Sequence, residues 1–437
     1  MWIPVLPNGM NFDGSRDPTM LSAAVLTKPA RIGIVGAGVV GLSCAFFLQR
    51  IGHQVDILDP RPPGEGASLG NAGIIAISEV FPVGRPAMLR QVPRMLFDPT
   101  GPLVIKWAYA PSIAPWLIRL IVASRPVEVA RISRALASLL GIATETWREL
   151  VRACQSEARL VANGWLRVML TEHHLKTAIR DAELQRELGV RVDILHATDI
   201  QEIEPALATG FAGAAFFPDA GNLTTPLGMM RTLAAHLTQK GVAIERRDVK
   251  RIEVADNRAK VVDSVGMRTT YDRVIVAAGA WSRSLVRTLG VDVPLDTERG
   301  YHVMLPTPAR TLQRPVSFPA PGYTLVQMED GVRLTTGVEF AGLNAPPDLR
   351  RVRRLVKHAQ ESLPGLASSA TSEWLGFRPS MPRSMPVIGP VPQSPQVILA
   401  FGHGHLGMTL GPATGRLVAA IVSGQPAPID VTPFLPS

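Results

Sequence analysis

Cysteine is scarce in this chain: there are two in 437 residues, Cys44 and Cys154. Two thiols build neither a disulfide framework nor a thiolate metal centre, a usage that fits a reducing cytoplasm. Charge is sparse as well, at 19% of residues against a hydrophobic fraction of 46%, a balance that excludes disorder. Long uninterrupted apolar runs are missing. The first 30 residues carry Asp13, Asp17, Pro18 and Lys28 where a signal peptide needs a continuous apolar core, so they read as a loose tail. The most apolar stretch, Leu103 to Ala123, is broken by Lys106, Pro111, Pro115 and Arg119, which excludes a transmembrane helix. It reads either as a helix pair in a cap over the fold or as a segment in peripheral contact with a membrane surface. Internal repeats and low-complexity tracts are absent.

The formal charge is +9, from 45 basic and 36 acidic residues. Its densest group, Arg350, Arg351, Arg353, Arg354 and Lys357, suits the solvated face of a helix. With no aromatics interleaved, the excess points away from nucleic acid and towards anionic cofactors, substrates or lipid head groups. A chain of this length exceeds one ordinary domain, and 38 prolines with 38 glycines imply many turns between short elements.

Arg31 to Gly36 reads as a buried strand, Val39 to Ile51 as a helix ended by Gly52, and Gln54 to Asp59 as a second strand. Together they form a βαβ unit. Helical patterning follows over Ile118–Leu150 and Glu172–Leu188, with a strand at Trp165–Leu170 between them. Thr225 and Pro226 open another helix as N-cap and first residue. Short strands occupy 242–277, and alternating runs from Arg299 to Glu339 predict an antiparallel sheet. A helix spans Asp348–Leu363. The tail carries a strand at Val397–Phe401, a glycine turn, and a helix from about Ala413 to Ser423, just past Pro412.

The turn inside the βαβ unit is Gly36, Ala37, Gly38, Val39, Val40, Gly41. Gly36 permits the tight turn, Gly38 lets backbone approach a pyrophosphate, and Gly41 allows close helix–strand packing. The helix N-terminus offers free N–H groups to phosphate. Asp59, ending the second strand, suits ribose hydroxyls and disfavours a 2′-phosphate, against NADP. FAD and NAD both fit this motif.

Three later segments separate them by resemblance. Ser68, Leu69, Gly70, Asn71, Ala72 and Gly73 resemble the small-residue loop that FAD-dependent amino-acid oxidoreductases place against the flavin. Val274 to Ser282, with Ala278, Gly279 and Trp281, resembles the strand and turn that return to the dinucleotide, near Val249. Gly376 to Gly389 and Phe401 to Gly411, with Gly404, His405, Leu406, Gly407, Met408 and Thr409, resemble the carboxy-terminal signature. The chain after residue 30 is similar to the D-amino-acid oxidase superfamily, above all to its bacterial D-amino-acid dehydrogenase branch.

That resemblance implies FAD as cofactor and oxidation of a D-amino acid by hydride transfer from its α-carbon to flavin N5. The imine is then hydrolysed to a 2-oxo acid, and electrons pass to a quinone or oxygen. It implies that Arg378 grips the substrate carboxylate with its guanidinium fork. Tyr301 and His302 are further candidates, the phenol for the carboxylate and the imidazole for shaping the pocket; the alternative for Tyr301 is plain strand packing. His403 and His405 read as flavin neighbours or as ordinary packed side chains. No metal site is expected. With no cysteine beyond residue 154, covalent flavin attachment near the carboxy-terminus is excluded. Glycine, sarcosine or D-proline oxidation remains an alternative chemistry, and a non-catalytic flavin-binding module a distant one.

The expected fold is α/β: a Rossmann-like FAD-binding domain (28–80, 200–290, 376–437) with an α+β substrate domain on an antiparallel sheet (81–199, 291–375), preceded by the tail 1–27. The expected location is cytoplasmic, with peripheral contact at the inner face of the cell membrane as an option.

Overall fold

The computed structural model describes residues 19–97, 103–308 and 310–436. The first sheet grows from the glycine-turn unit. Arg31–Val35 has four consecutive buried residues, as a parallel strand covered on both faces should. Val39–Arg50 follows as a helix, and Gln54–Asp59 returns in parallel beside the first strand. Ala243–Arg246 pairs with Gln54–Asp59 on the outside. On the other side Arg273–Val276 and Ser394–Phe401 extend the sheet in parallel, and antiparallel Val387–Val391 closes that edge. Strands from near the start and near the end of the chain therefore lie side by side.

The Val39–Arg50 helix is buried from Val39 through Leu48, with no polar face. It lies against the first sheet and against a second helix, Gly407–Ser423. That second helix begins at Gly407 and holds Pro412 in its interior, so the expected start after Pro412 is corrected. Proline offers no N–H to the carbonyl four residues back, which is that of Met408. The buried Trp147 indole supplies the missing donor, Nε1 to the Met408 oxygen at 2.8 Å.

The helical stretch expected over Ile118–Leu150 divides into Ala110–Ala123, Pro126–Gly141 and Ala143–Ala153. Pro126 forces the first break, because the residue before proline avoids the helical region. The latter two helices pack on Gly407–Ser423 in the first core, although their residues fall within the span expected for the substrate domain.

The second sheet has ten strands and is mostly antiparallel. Asp296–Leu305 is central to it, paired along one edge with Ser372–Ser380 and along the other with Gly331–Thr336 and then Val338–Phe340. Two pairings are parallel, Val316–Phe318 with Trp165–Met169 and Val338–Phe340 with Leu103–Ile105, which refines the purely antiparallel expectation. Gly213–Phe217 and Ser372–Ser380 also belong here, so the spans 200–290 and 376–437 each contribute to both sheets. A smaller antiparallel sheet is formed by Val249–Ala255, Arg258–Asp263 and Arg268–Tyr271.

Residues 1–18 of the expected tail lie outside the described residues. The segment Ala23–Leu26 is anchored to the fold. Ala24 is buried, the Arg273 guanidinium donates to the Ala23 and Ala24 carbonyls, and the Leu26 N–H donates to the Val422 carbonyl. Among the described residues, one helical run is long and apolar enough to cross a membrane, Gly404–Ser423, and it is mostly buried inside the fold.

Candidate active site

A cavity of about 970 Å³ is lined from both large sheets. That is the upper end of the range for small-molecule sites, about 300–1,000 Å³. One end is built by the glycine turn. Gly36 takes φ +116°, and a Cβ there would stand 2.4 Å from the Ala277 carbonyl oxygen, so no other residue fits. Ala37, Gly38, Val39 and Val40 line the cavity, at the N-terminus of the helix that begins at Val39, whose N-cap Gly38 has no side chain to cap it. Gly41 does not line it; it faces the Gly36 carbonyl and lets helix and strand close together. Asp59 lines the same end, where its carboxylate accepts N–H bonds from Ala37 at 2.8 Å and Arg61 at 2.9 Å. The Arg61 guanidinium lies over the Trp281 ring, 4.6 Å from its centre, and Val249, Ala278 and Gly279 complete that wall.

Ser68, Asn71 and Ala72 line the middle of the cavity. Ser68 Oγ accepts the Val39 N–H at 3.1 Å, and Asn71 Oδ1 accepts the Gly73 N–H at 2.8 Å, fixing the loop by a local turn. Gly73 itself packs against the Leu223 carbonyl, outside the lining. From behind, Arg333 donates to the Asn71 and Leu69 carbonyls. His302 acts from the same side: its Nδ1 lies 3.0 Å from the Gly70 carbonyl oxygen, and its ring stacks on Trp374 at 5.1 Å. A carbonyl only accepts, so Nδ1 carries the proton. Burial, aided by the Arg333 charge, pushes this imidazole down to about 3, so it is neutral at ordinary pH. His302 was expected to shape the substrate pocket directly. It lies behind the lining and positions the loop.

Arg378 lines the cavity. Its Nη1 and Nη2 donate to the carbonyls of Gly337 at 2.9 Å and Thr336 at 3.0 Å. Among the described residues no carboxylate stands within ion-pair distance of it, and burial lowers its pKa despite the more distant Glu298. Room for it comes from Gly300, where a Cβ would stand 2.4 Å from Nη2. Tyr301 also lines the cavity, but its hydroxyl donates to Glu339 at 2.5 Å and accepts the Asp348 N–H at 3.1 Å. Buried Glu339 needs donors, and the phenol is one of them, so the expected contact between the phenol and a substrate carboxylate is corrected: the hydroxyl is committed elsewhere.

At the other end Gly404, His405, Gly407 and Met408 line the cavity, and no side chain caps the Gly407–Ser423 helix there. Leu406 is buried in the core instead. Thr409 is also inside, its hydroxyl accepting the Ala76 N–H at 3.0 Å and donating to the Ile74 carbonyl at 3.2 Å. His403 lines the cavity with its Nε2 2.8 Å from Thr414 Oγ1, and burial pushes it down to about 3.

A protein-family model described as FAD dependent oxidoreductase (DAO) matches residues 31–421. The chain belongs to this family. A D-amino-acid oxidase of Bradyrhizobium diazoefficiens is 32% identical over 413 residues, covering 93% of this chain and 98% of that one. A D-amino acid dehydrogenase of Dechloromonas aromatica is 27% identical over 421 residues, covering 93% and 99%. Among solved structures, glycine oxidase from Geobacillus kaustophilus superposes with a TM-score of 0.72 at 24% identity, covering 93% of this chain and 99% of that one. At that identity the likeness concerns the fold.

This member of the FAD-dependent oxidoreductases is thus an enzyme with FAD as its cofactor. The residues present fit an elongated dinucleotide. Two helix N-termini open on the cavity, and a Cβ at Gly38, Gly404 or Gly407 would come no closer than 3.6 Å to any atom beyond its own stretch of chain. A pyrophosphate could therefore approach bare backbone at the first helix end and a flat ring system at the second.

Sequence reasoning missed a charged group on the wall. Glu79 lines the cavity, pairs with Arg167, and lies 3.9 Å from His405 Nε2. Burial alone would raise the Glu79 carboxyl, but Arg167 and His405 overrule it and hold it at about 2. Arg167 in turn lies over the rings of Trp165 and Phe217. No local motif marks these residues, which come together only through the fold.

Proposed function

We propose that the enzyme oxidises a D-amino acid to its imine, which water converts to the 2-oxo acid and ammonia. The observation that carries this reading is Arg378, a desolvated cation on the cavity wall with no anionic partner among the described residues. Two of its donors are fixed by the Thr336 and Gly337 carbonyls, which orients the guanidinium plane and leaves the remaining N–H groups for a ligand. A planar carboxylate is the ligand that such a fork fits.

The chemistry that FAD supplies when bound is acceptance of the two electrons removed from the substrate α-carbon. The Gly36–Val40 turn, Asp59, the Ser68–Ala72 loop and Gly404–Met408 would hold it. The protein's own part is orientation and exclusion of water. Arg378 fixes the carboxylate, and the 68–73 loop, braced by His302 and Arg333, fixes the surface opposite. A desolvated site with a nearby cation also favours a neutral amine over an ammonium, the form whose α-carbon can be oxidised. The D configuration is supported by the names of the Bradyrhizobium and Dechloromonas relatives. We assign the electron acceptor to a quinone on the resemblance to the dehydrogenases.

The experiment is anaerobic bleaching of the flavin with a panel of D- and L-amino acids, glycine, sarcosine and simple amines. D-amino acids should bleach it fastest. Bleaching confined to L-acids, to glycine and sarcosine, or to amines lacking a carboxylate would sink the substrate reading. Re-oxidation by oxygen against a quinone analogue then tests the acceptor.

A further inference from the structure

The Ala110–Ala123 helix has two apolar faces, and only one of them has a partner among the described residues. Inward, Ile113 and Trp116 pack with Phe340, and the Trp116 indole donates to the Ser380 carbonyl at 3.2 Å. Ser380 ends the strand that carries Arg378. Outward, Pro111, Pro115, Ile118 and Val122 are all exposed. Their spacing puts them on one stripe, with Ile121 beside it. Ile118 is 62% exposed and Ile121 58%. Trp107 before the helix and Val127 after it are each 80% exposed. Single exposed apolar residues are ordinary, whereas a continuous helical face of them marks an interaction surface.

Charge says what that surface meets. Residues 103–127 contain no acidic side chain, and the exposed charges on the helix and just past it are Arg119 and Arg125. Neither makes an ion pair among the described residues. The nearest acid along the chain, Glu128, is taken by Arg383 and Arg131. A second copy of the chain is a poor occupant, because a two-fold pairing would set the arginines against each other with no carboxylate between them.

We propose that this face docks the enzyme on an anionic lipid bilayer. The helix lies in the plane of the interface, its apolar stripe at the boundary of head groups and acyl chains and its arginines on anionic head groups. Trp107 sits at the head-group level, where an amphipathic ring is most favourable. The docked face is then one helix away from the strand of Arg378. The inference is independent of the substrate reading, since it concerns lipid binding alone.

The test is co-sedimentation of the purified holoenzyme with vesicles of phosphatidylcholine, with and without phosphatidylglycerol. Binding to the anionic vesicles should exceed binding to neutral ones and weaken with salt. Two exposed double variants separate the contributions, Ile118→Asp with Ile121→Asp, and Arg119→Glu with Arg125→Glu. Each should lose at least about tenfold in binding, since one surface arginine contributes roughly a fivefold change. Both should keep the flavin spectrum and turnover with a soluble acceptor. Absence of binding to anionic vesicles, or equal binding by wild type and both variants, would overturn the proposal. So would sedimentation equilibrium showing a dimer that Ile118→Asp dissociates, because the occupant would then be a second copy.

Discussion

An arginine that lines a cavity without a counter-ion is held there by geometry alone. Arg378 spends two donors on carbonyls and depends on the missing side chain of Gly300 for its place. Arg378→Ala should lower kcat/KM for amino acids by about 10- to 150-fold, the equivalent of one charged hydrogen-bonding partner worth roughly 1.5–3 kcal/mol. The flavin should stay bound. Arg378→Lys should fall between the two, because the charge survives and the fork does not. Steady-state kinetics with the flavin spectrum checks this, and an unchanged kcat/KM in Arg378→Ala would remove the residue from the site. Arg378 was legible in the sequence because it stands in a recognisable segment. Gly300, Glu79 and the second commitment of the Tyr301 hydroxyl were not, since each gains its meaning from a partner on another strand.

At the scale of elements, the long helix Gly407–Ser423 shows where local rules stop. A proline is a good first-turn residue, which is why Pro412 invites reading a helix start after it. The fold places it inside instead, and the donor it lacks is replaced by Trp147, 261 residues away in sequence from Met408. Periodicity cannot see such a partner. Trp147→Phe should leave the Met408 carbonyl unpaired in the core, a cost of about 1–3 kcal/mol, in addition to the volume lost. Thermal unfolding followed by circular dichroism should show a lower melting temperature, and an unchanged one would mean that the carbonyl finds another donor. By contrast, the βαβ unit was readable almost to the residue, because glycine turn, buried strand and apolar helix are all local signals. Helix Pro226–Gln239 was too: Thr225 accepts the Gly228 N–H as its N-cap.

For the whole molecule, two buried imidazoles tie stability to pH. His302 and His403 are both pushed down to about 3 by burial. In the unfolded chain each takes up a proton below about 6.5. Stability is therefore full above that value and declines as pH falls towards 3, because only the unfolded state gains the protons in between. The slope is at most about 1.4 kcal/mol per pH unit for each imidazole. Melting temperatures measured from pH 8 down to pH 5 should fall, and His302→Asn, which keeps a donor for the Gly70 carbonyl, should flatten the decline. An identical profile in the variant would show that His302 does not carry it.

The order of strands in the first sheet also bears on biosynthesis. Arg31–Val35 and Gln54–Asp59 leave the ribosome long before Ser394–Phe401, a strand of the same sheet. The apolar helix Val39–Arg50 must wait equally long for Gly407–Ser423 to cover it. A nascent chain therefore carries an unshielded nucleotide fold until those later elements emerge, the situation in which chaperones are recruited and truncated products aggregate. A polypeptide cut ahead of these elements should fail to mature into a flavoprotein, however intact its glycine turn.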